Sequence, residues 1–270
     1  MYGEMEFAKK LAYDAGEIMK KYFNQKDIGD KYKGEDDKKT IVTLADTEIN
    51  QMVIDQVREK YPEHGVFGEE DSFGNDRKIL WVCDPVDGTA MFSCGVPVSV
   101  FSLALVIDGE SKLGVVYDPF KDEIYTAIKG EGAYCNSNKL SVNTEKLGDV
   151  SAISNYDSSS RYVSSSRTYQ KDLRPAVDLL DRETYLTSIG SIIRASMLVA
   201  SGNMVAEITA VSGNKNMDVA AVKVIVEEAG GKVTDIFGNE QRYDQDIKGA
   251  IISNSVVHDE LVNAVKNNMV

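Results

Sequence analysis

The sequence predicts a mixed α/β fold in two layered halves, and three observations carry that expectation. An apolar stripe at helical spacing opens the chain, apolar runs of strand length fill much of 79–128, and strand and helix alternate from about residue 150. The two halves are expected to divide near residue 145, as 1–145 and 146–270.

Phe7, Leu11, Ala15, Ile18, Tyr22 and Phe23 recur with helical period, so the first element is an amphipathic helix. The polar stretch 24–40 mixes both signs of charge and reads as a solvated loop, with a flap over a site as the sharper alternative. A second helix spans 45–60, with Ile49, Met52, Val53 and Val57 on one face. Strands are predicted at 79–84, 98–107, 112–118 and 122–128, and Asp108-Gly109 marks a hairpin turn between the second and third. Beyond these come strands at 150–154, 184–188, 204–209, 232–235 and 249–253. Between and after them fall helices at 170–181, 191–201, 217–229 and 257–268. The serine-rich patch Ser158 to Arg167 reads as a loop, and the chain has no internal repeat.

Composition narrows the function. The chain has 270 residues, 43% of them hydrophobic, which allows one large domain or two modest ones with ample core. Its net charge of −13 argues against a sequence-independent grip on nucleic-acid phosphates. The same charge repels phosphorylated small molecules unless bound cations reverse its sign locally. Cys83, Cys94 and Cys135 are widely spaced and show no metal-type pairing. The first residues lack the apolar core of a signal peptide, and the longest apolar run, Val98 to Ile107, is too short to span a bilayer. A cytoplasmic protein with neither membrane nor nucleic-acid partner is expected.

Four acidic features stand at element boundaries. They are Asp46 in IVTLAD, Glu69-Glu70 in VFGEED, Asp84 and Asp87 in WVCDPVDGTAMF, and Asp218 in NMDVAA. Taken singly, Asp46 and Asp218 are explained as first-turn helix acids, and Glu69-Glu70 as a solvated loop. Asp84-Pro-Val-Asp87 resists that account, because two carboxylates directly after a buried strand repel each other unless something neutralises them. His64 and His258 are the only histidines, so the donor set is all oxygen and selects Mg²⁺ or its relative Mn²⁺. Gly88-Thr89 permits close backbone approach and offers N–H donors to an anion. Metals beside an anion cradle mean phosphoryl chemistry. A P-loop is excluded, since no G-x-x-x-x-G-K-[ST] occurs. The D-x-D-G-T run of the haloacid dehalogenase phosphatases is one residue shorter than D-x-x-D-G-T here, which argues against a phospho-aspartate mechanism.

Together VTLAD, GEED, DPVDGTAMF, the G-x-P at 95–97, GAYCN, GSIIRASMLVASG and MDVAAVKVIVEEAGG resemble the inositol monophosphatase family, over roughly residues 5 to 265. That family lies within the lithium-sensitive, Mg²⁺-dependent phosphatase superfamily. The resemblance implies a layered α-β-α-β-α sandwich, of the inositol monophosphatase and fructose-1,6-bisphosphatase type. It also implies a homodimer and two or three Mg²⁺ ions per site. Glu69, Asp84 and the Val86 carbonyl would hold one metal, and Asp84, Asp87 and Asp218 a second. Glu70 and Asp46 would fall at outer or third-metal positions, with Asp46 counted beside the catalytic pair Glu69 and Thr89. Thr89 would hold the attacking water, and Gly88 and Thr89 would bind phosphate next to Asp87. Gly190, Ser191 and Ile192 would line the alcohol side of the substrate.

Three positions depart from the family pattern: Thr40-Ile41, Met217 and Val205. None is a proposed metal ligand. The activity implied is a Mg²⁺-dependent phosphomonoesterase acting on inositol 1-phosphate or a related sugar phosphate. Fructose 1,6-bisphosphate, adenosine 3′,5′-bisphosphate and histidinol phosphate are alternative substrates. A non-catalytic metal- and phosphate-binding protein on the same fold is the reading from another class. Arg194 has two readings: a structural arginine, facing outward or paired with an acid such as Glu207, or a second phosphate site to which Arg161, Arg167 and Arg174 could add.

Overall fold

The structure is a computed structural model describing residues 1–23, 31–32, 41–42, 44–148, 152–156, 184–209, 216–247 and 249–268. Helix α1 (Tyr2–Tyr22) buries Phe7, Ala8, Leu11, Ala12, Ala15 and Met19, the side of the predicted stripe. Strand β1 (Lys31–Tyr32), inside the 24–40 stretch expected to be loop, pairs antiparallel with β2 (Ile41–Val42) just beyond it, and most of that stretch lies outside the described residues. Helix α2 (Leu44–Lys60) follows and buries Ile49, Val53 and Val57.

The large sheet comprises β3 (Gly65–Gly68), β4 (Ser72–Phe73), β5 (Ile79–Asp87), β6 (Val100–Ile107), β7 (Glu110–Asp118), β8 (Glu123–Ile128), β9 (Gly132–Cys135) and β10 (Asn138–Lys139). Its strand order is β10-β9-β8-β7-β6-β5-β3-β4, antiparallel except where β3 runs parallel to β5. A short helix, α3 (Thr89–Ser93), follows β5. The turn between β6 and β7 is at Asp108 (φ 51°) and Gly109 (φ 85°), the left-handed pair that a tight hairpin needs. The smaller sheet contains β11 (Ala152–Tyr156), β12 (Tyr185–Thr187), β13 (Ala206–Thr209), β14 (Lys232–Thr234) and β15 (Ala250–Ser253), in the order β12-β11-β13-β15-β14. Helices α4 (Ile192–Ala200), α5 (Met217–Glu228) and α6 (His258–Asn268) complete the described elements.

Both faces of the large sheet are buried. Along β5, Trp81 and Cys83 pack with α1 and α2, while Leu80 and Val82 pack with α4 and α5. The other side of α4 and α5 meets Val233, Ala250 and Ile252 of the small sheet, whose far face packs against Leu261 and Val265 of α6. The layers are therefore α-β-α-β-α, as expected from the sequence.

Several boundaries differ from the expectation. Strand β5 runs on to Asp87 rather than ending at residue 84, and β3, β4, β9, β10 and α3 were not foreseen. These are two to five residues long and rich in turn formers, too short for a period to register. The helix expected at 170–181 and the serine-rich loop lie outside the described residues.

His258, at the start of α6, is fully buried, with Nδ1 2.8 Å from Ser253 Oγ and Nε2 2.9 Å from Thr234 Oγ1. Burial, assisted by Lys232, lowers its pKa from 6.5 to about 4. Below pH 6.5 the unfolded chain takes up a proton that the folded chain refuses until about pH 4, so stability falls with pH through that window. Between pH 7 and pH 5 this one group is expected to cost the fold about 2 kcal/mol. Urea unfolding at the two pH values checks it: His258→Gln should flatten the slope by that amount, and an unchanged slope would remove His258 as the cause.

Candidate active site

The site begins with a kink in β5. Asp84 pairs with Ser102 of β6 and Asp87 with Val100, so three steps along β5 match two along β6. The extra residue is a β-bulge at Pro85-Val86, where Pro85 has no N–H to give a ladder. In a regular strand, residues three apart point to opposite faces. The bulge restores Asp84 and Asp87 to the same face, the one covered by α5. Asp218 lies in the first turn of α5, and carboxylate oxygens of Asp84, Asp87 and Asp218 all come within 4.8 Å of one another. All three residues are buried.

A second cluster forms alongside. Strand β3 ends at Gly68 beside Cys83 of β5, so the β3–β4 turn carries Glu69 and Glu70 past the same end of the sheet. Asp46 comes from the first turn of α2. Oxygens of Asp46, Glu69 and Glu70 also lie within 4.8 Å of one another. Both helices start at the acidic clusters, so the helix-terminal account of Asp46 and Asp218 is compatible with a functional one. Cys83 feels acids of both clusters: burial first, then the charges of Asp84 and Glu69, push its thiol well above the usual range.

The segment after Asp87 joins the clusters. Gly88 takes φ 83° as the N-cap of α3. Thr89 Oγ1 donates to the Val86 carbonyl at 2.9 Å and reaches Asp46 Oδ1 at 3.5 Å, the outer limit of a hydrogen bond. Val86 N donates to Asp84 Oδ1 at 3.1 Å. The fully buried Ser99, which no sequence signal singles out, donates to Gly88 O at 3.0 Å. A Cβ on Gly88 would lie 3.1 Å from both Gly190 O and Ser191 Cβ, so the chain following β12 is packed directly onto this turn.

Ser191 and Ile192 are buried at the head of α4, and Gly190 (φ 82°) rests on Met91. Ser191 caps α4 by accepting from Arg194 N at 3.0 Å. Its hydroxyl also donates to Asp87 Oδ2, which accepts from Ile193 N at 2.8 Å as well. The N-terminal end of α4 therefore holds one oxygen of Asp87 and fixes where the other can point.

Arg194 does not join this group. It is 5% exposed, and its Nη1 donates to Tyr125 OH at 2.8 Å and to Glu123 Oε2 at 3.1 Å. Its Nε lies 3.6 Å from Asp118 Oδ2. The guanidinium is committed to β7 and β8, where two acids and a tyrosine occupy its fork. Arg194 is thus the structural arginine paired with acids, buried rather than facing outward and with Asp118 and Glu123 as partners in place of Glu207, and so committed it has little to give a second phosphate. Arg161, Arg167 and Arg174 lie outside the described residues.

The donor set fits a hard divalent cation. Six carboxylates supply only oxygen, in two groups of three, and gathering like charges at such separations favours a bound cation. No described helix is long and apolar enough to cross a membrane.

Comparison with known proteins shows the family. The family model described as "Inositol monophosphatase family" matches residues 4–269. The chain is 32% identical over 262 residues to the fructose-1,6-bisphosphatase/inositol-1-monophosphatase of Thermotoga maritima, covering 97% of this chain and 95% of that one. It is 33% identical over 272 residues to a histidinol-phosphatase of Chlorobaculum parvum, covering 99% and 98%. Among solved structures, an IMPase from Thermotoga maritima superposes with a TM-score of 0.83 at 29% identity, over 98% of this chain and 97% of that one. With the family matched over nearly its whole length, the chain belongs to the inositol monophosphatase family and is a phosphatase, a phosphoric monoester hydrolase.

Proposed function

We propose that the protein is a Mg²⁺-dependent phosphomonoesterase whose substrate is inositol 1-phosphate or a closely related sugar phosphate. The observation that carries this reading is the pair of all-oxygen clusters beside the Gly88-Thr89 turn. Glu69, Asp84 and the Val86 carbonyl would hold one cation, Asp84, Asp87 and Asp218 another, with Glu70 and Asp46 outside the first. Bound Mg²⁺ would neutralise the phosphate and make water a competent nucleophile near neutral pH.

The chain's own groups do the rest. Thr89 Oγ1, anchored on Val86 O, stands near Asp46, where it and Glu69 orient the attacking water. The first N–H groups of α3 have no partner within the helix and face a phosphate oxygen at the Gly88-Thr89 turn. Ser191 and the α4 N-terminus keep Asp87 from turning, and Gly190, Ser191 and Ile192 flank the alcohol. No covalent enzyme intermediate is required. The protein would act as a homodimer in the cytoplasm, and Mn²⁺ would substitute for Mg²⁺.

The names of the relatives set the competitors, fructose 1,6-bisphosphate and histidinol phosphate. Phosphate release from these esters and inositol 1-phosphate, compared by kcat/KM with Mg²⁺ and with chelator, tests the proposal. Turnover should vanish on chelation and be highest with inositol 1-phosphate. Mg²⁺ without substrate should raise Tm, because it binds the folded chain. Turnover unaffected by chelation, together with a Tm unmoved by millimolar Mg²⁺, would sink the metal assignment. Preference for another ester would move the substrate and leave the mechanism.

A further inference from the structure

Asn50 is a buried polar side chain that the chemistry above does not use. It sits on α2 one helical turn after Asp46, so the two share a face, and it is only 2% exposed. Its Nδ2 donates to the Asp71 carbonyl at 3.0 Å. Its Oδ1 is buried with no hydrogen-bond partner among the described residues. That oxygen is pressed against Gly68 instead: a Cβ there would fall 2.1 Å from Asn50 Oδ1 and 2.5 Å from Asp71 O. The amide therefore touches the residue just before Glu69 and the one just after Glu70.

A buried amide oxygen without a partner costs about 1–3 kcal/mol, so stability alone is a poor reason to keep one here. A leucine would fill similar space without that cost. It would also lose the donor that ties the β3–β4 turn to α2. Ser72 closes the turn on itself, accepting from Gly68 N at 3.3 Å, but it makes no such tie. Asn50 ties the segment bearing Glu69 and Glu70 to the helix bearing Asp46 through a side-chain hydrogen bond.

We infer that Asn50 is a positioning residue. Its amide is the template around which residues 68–71 fold, so that Glu69 and Glu70 meet Asp46. The inference rests on the metal-dependent reading and adds to it a residue outside the ligand set. Gly68 belongs to the same device, since any side chain there would displace the amide.

Asn50→Leu and Asn50→Ala test it, the second guarding against failure of the first to fold. Two quantities are read on folded protein: the Mg²⁺ concentration giving half of the Tm rise without substrate, and the Mg²⁺ dependence of kcat. Groups that orient metal ligands typically contribute 10–100-fold to affinity or activity, so both half-saturation points should rise by about 10-fold or more, with kcat reduced. KM for the phosphate ester should change little, because Asn50 contacts no substrate-lining residue. Variants with a lower Tm but wild-type Mg²⁺ dependence and kcat would make Asn50 a hairpin pin and overturn the inference. A wild type indifferent to Mg²⁺ would overturn the metal-dependent reading, and this inference with it.

Discussion

Asp84→Asn is expected to lower kcat on the order of a thousand-fold or more, about 4 kcal/mol of transition-state stabilisation. Asparagine keeps the Oδ1 that accepts from Val86 N, so the bulge in β5 should survive. What changes is the charge and the second oxygen. Asp84 contributes to the cluster with Asp87 and Asp218, and the pairing of Gly68 with Cys83 brings the residue before Glu69 beside the residue before Asp84, so its loss should weaken both proposed cation positions. The measurement is kcat at saturating substrate over a Mg²⁺ series, with circular dichroism confirming the fold. Near-normal turnover would remove Asp84 from the site.

Trp81→Ala should have the largest effect on stability, about 3–5 kcal/mol for a large side chain removed from a tight core. Trp81 is fully buried in β5 on the face opposite Asp84. Its ring lies 5.5 Å from Phe7 and 5.9 Å from Tyr61, and its Nε1 donates to His64 Nδ1 at 3.2 Å. Truncation opens a cavity between α1 and the sheet and orphans the His64 acceptor. Urea unfolding followed by circular dichroism is the check, because the chain has no other tryptophan to report. A loss below 1 kcal/mol would mean that α1 closes the gap. Activity of the folded fraction should stay close to wild type, as Trp81 faces away from the acids.

Much of the site was legible because it is local. Asp84, Asp87, Gly88 and Thr89 are nearly contiguous, and their chemistry follows from residue type and spacing. Asp46 and Asp218 were visible as acids at helix starts, where dipole and function favour the same residue. The β3–β4 hairpin that carries Glu69 and Glu70 was not visible. Gly65 and Gly68 are the two ends of a four-residue strand, and at both a Cβ would be crowded by backbone or side-chain atoms. Asn50 and Ser99 were missed for a related reason. Each acts through one hydrogen bond to a residue 21 or 11 positions away, and no periodicity encodes such a bond.

The sequence by itself determined the acids, the all-oxygen donor chemistry, the layered α/β architecture and the family. Each depends on residue type, or on a hydrophobic period that any half-buried helix or strand must show. Only the tertiary structure decided that Asp46, Glu69 and Glu70 stand together, in a second group beside the Asp84, Asp87 and Asp218 that the family resemblance had already joined. It also decided that Arg194 turns to Asp118 and Glu123, more than 70 residues back along the chain. The physical reason is visible in β5. One unpaired residue at the Pro85-Val86 bulge reverses the face on which Asp87 emerges, and that reversal is written in the pairing with β6 rather than in β5 alone.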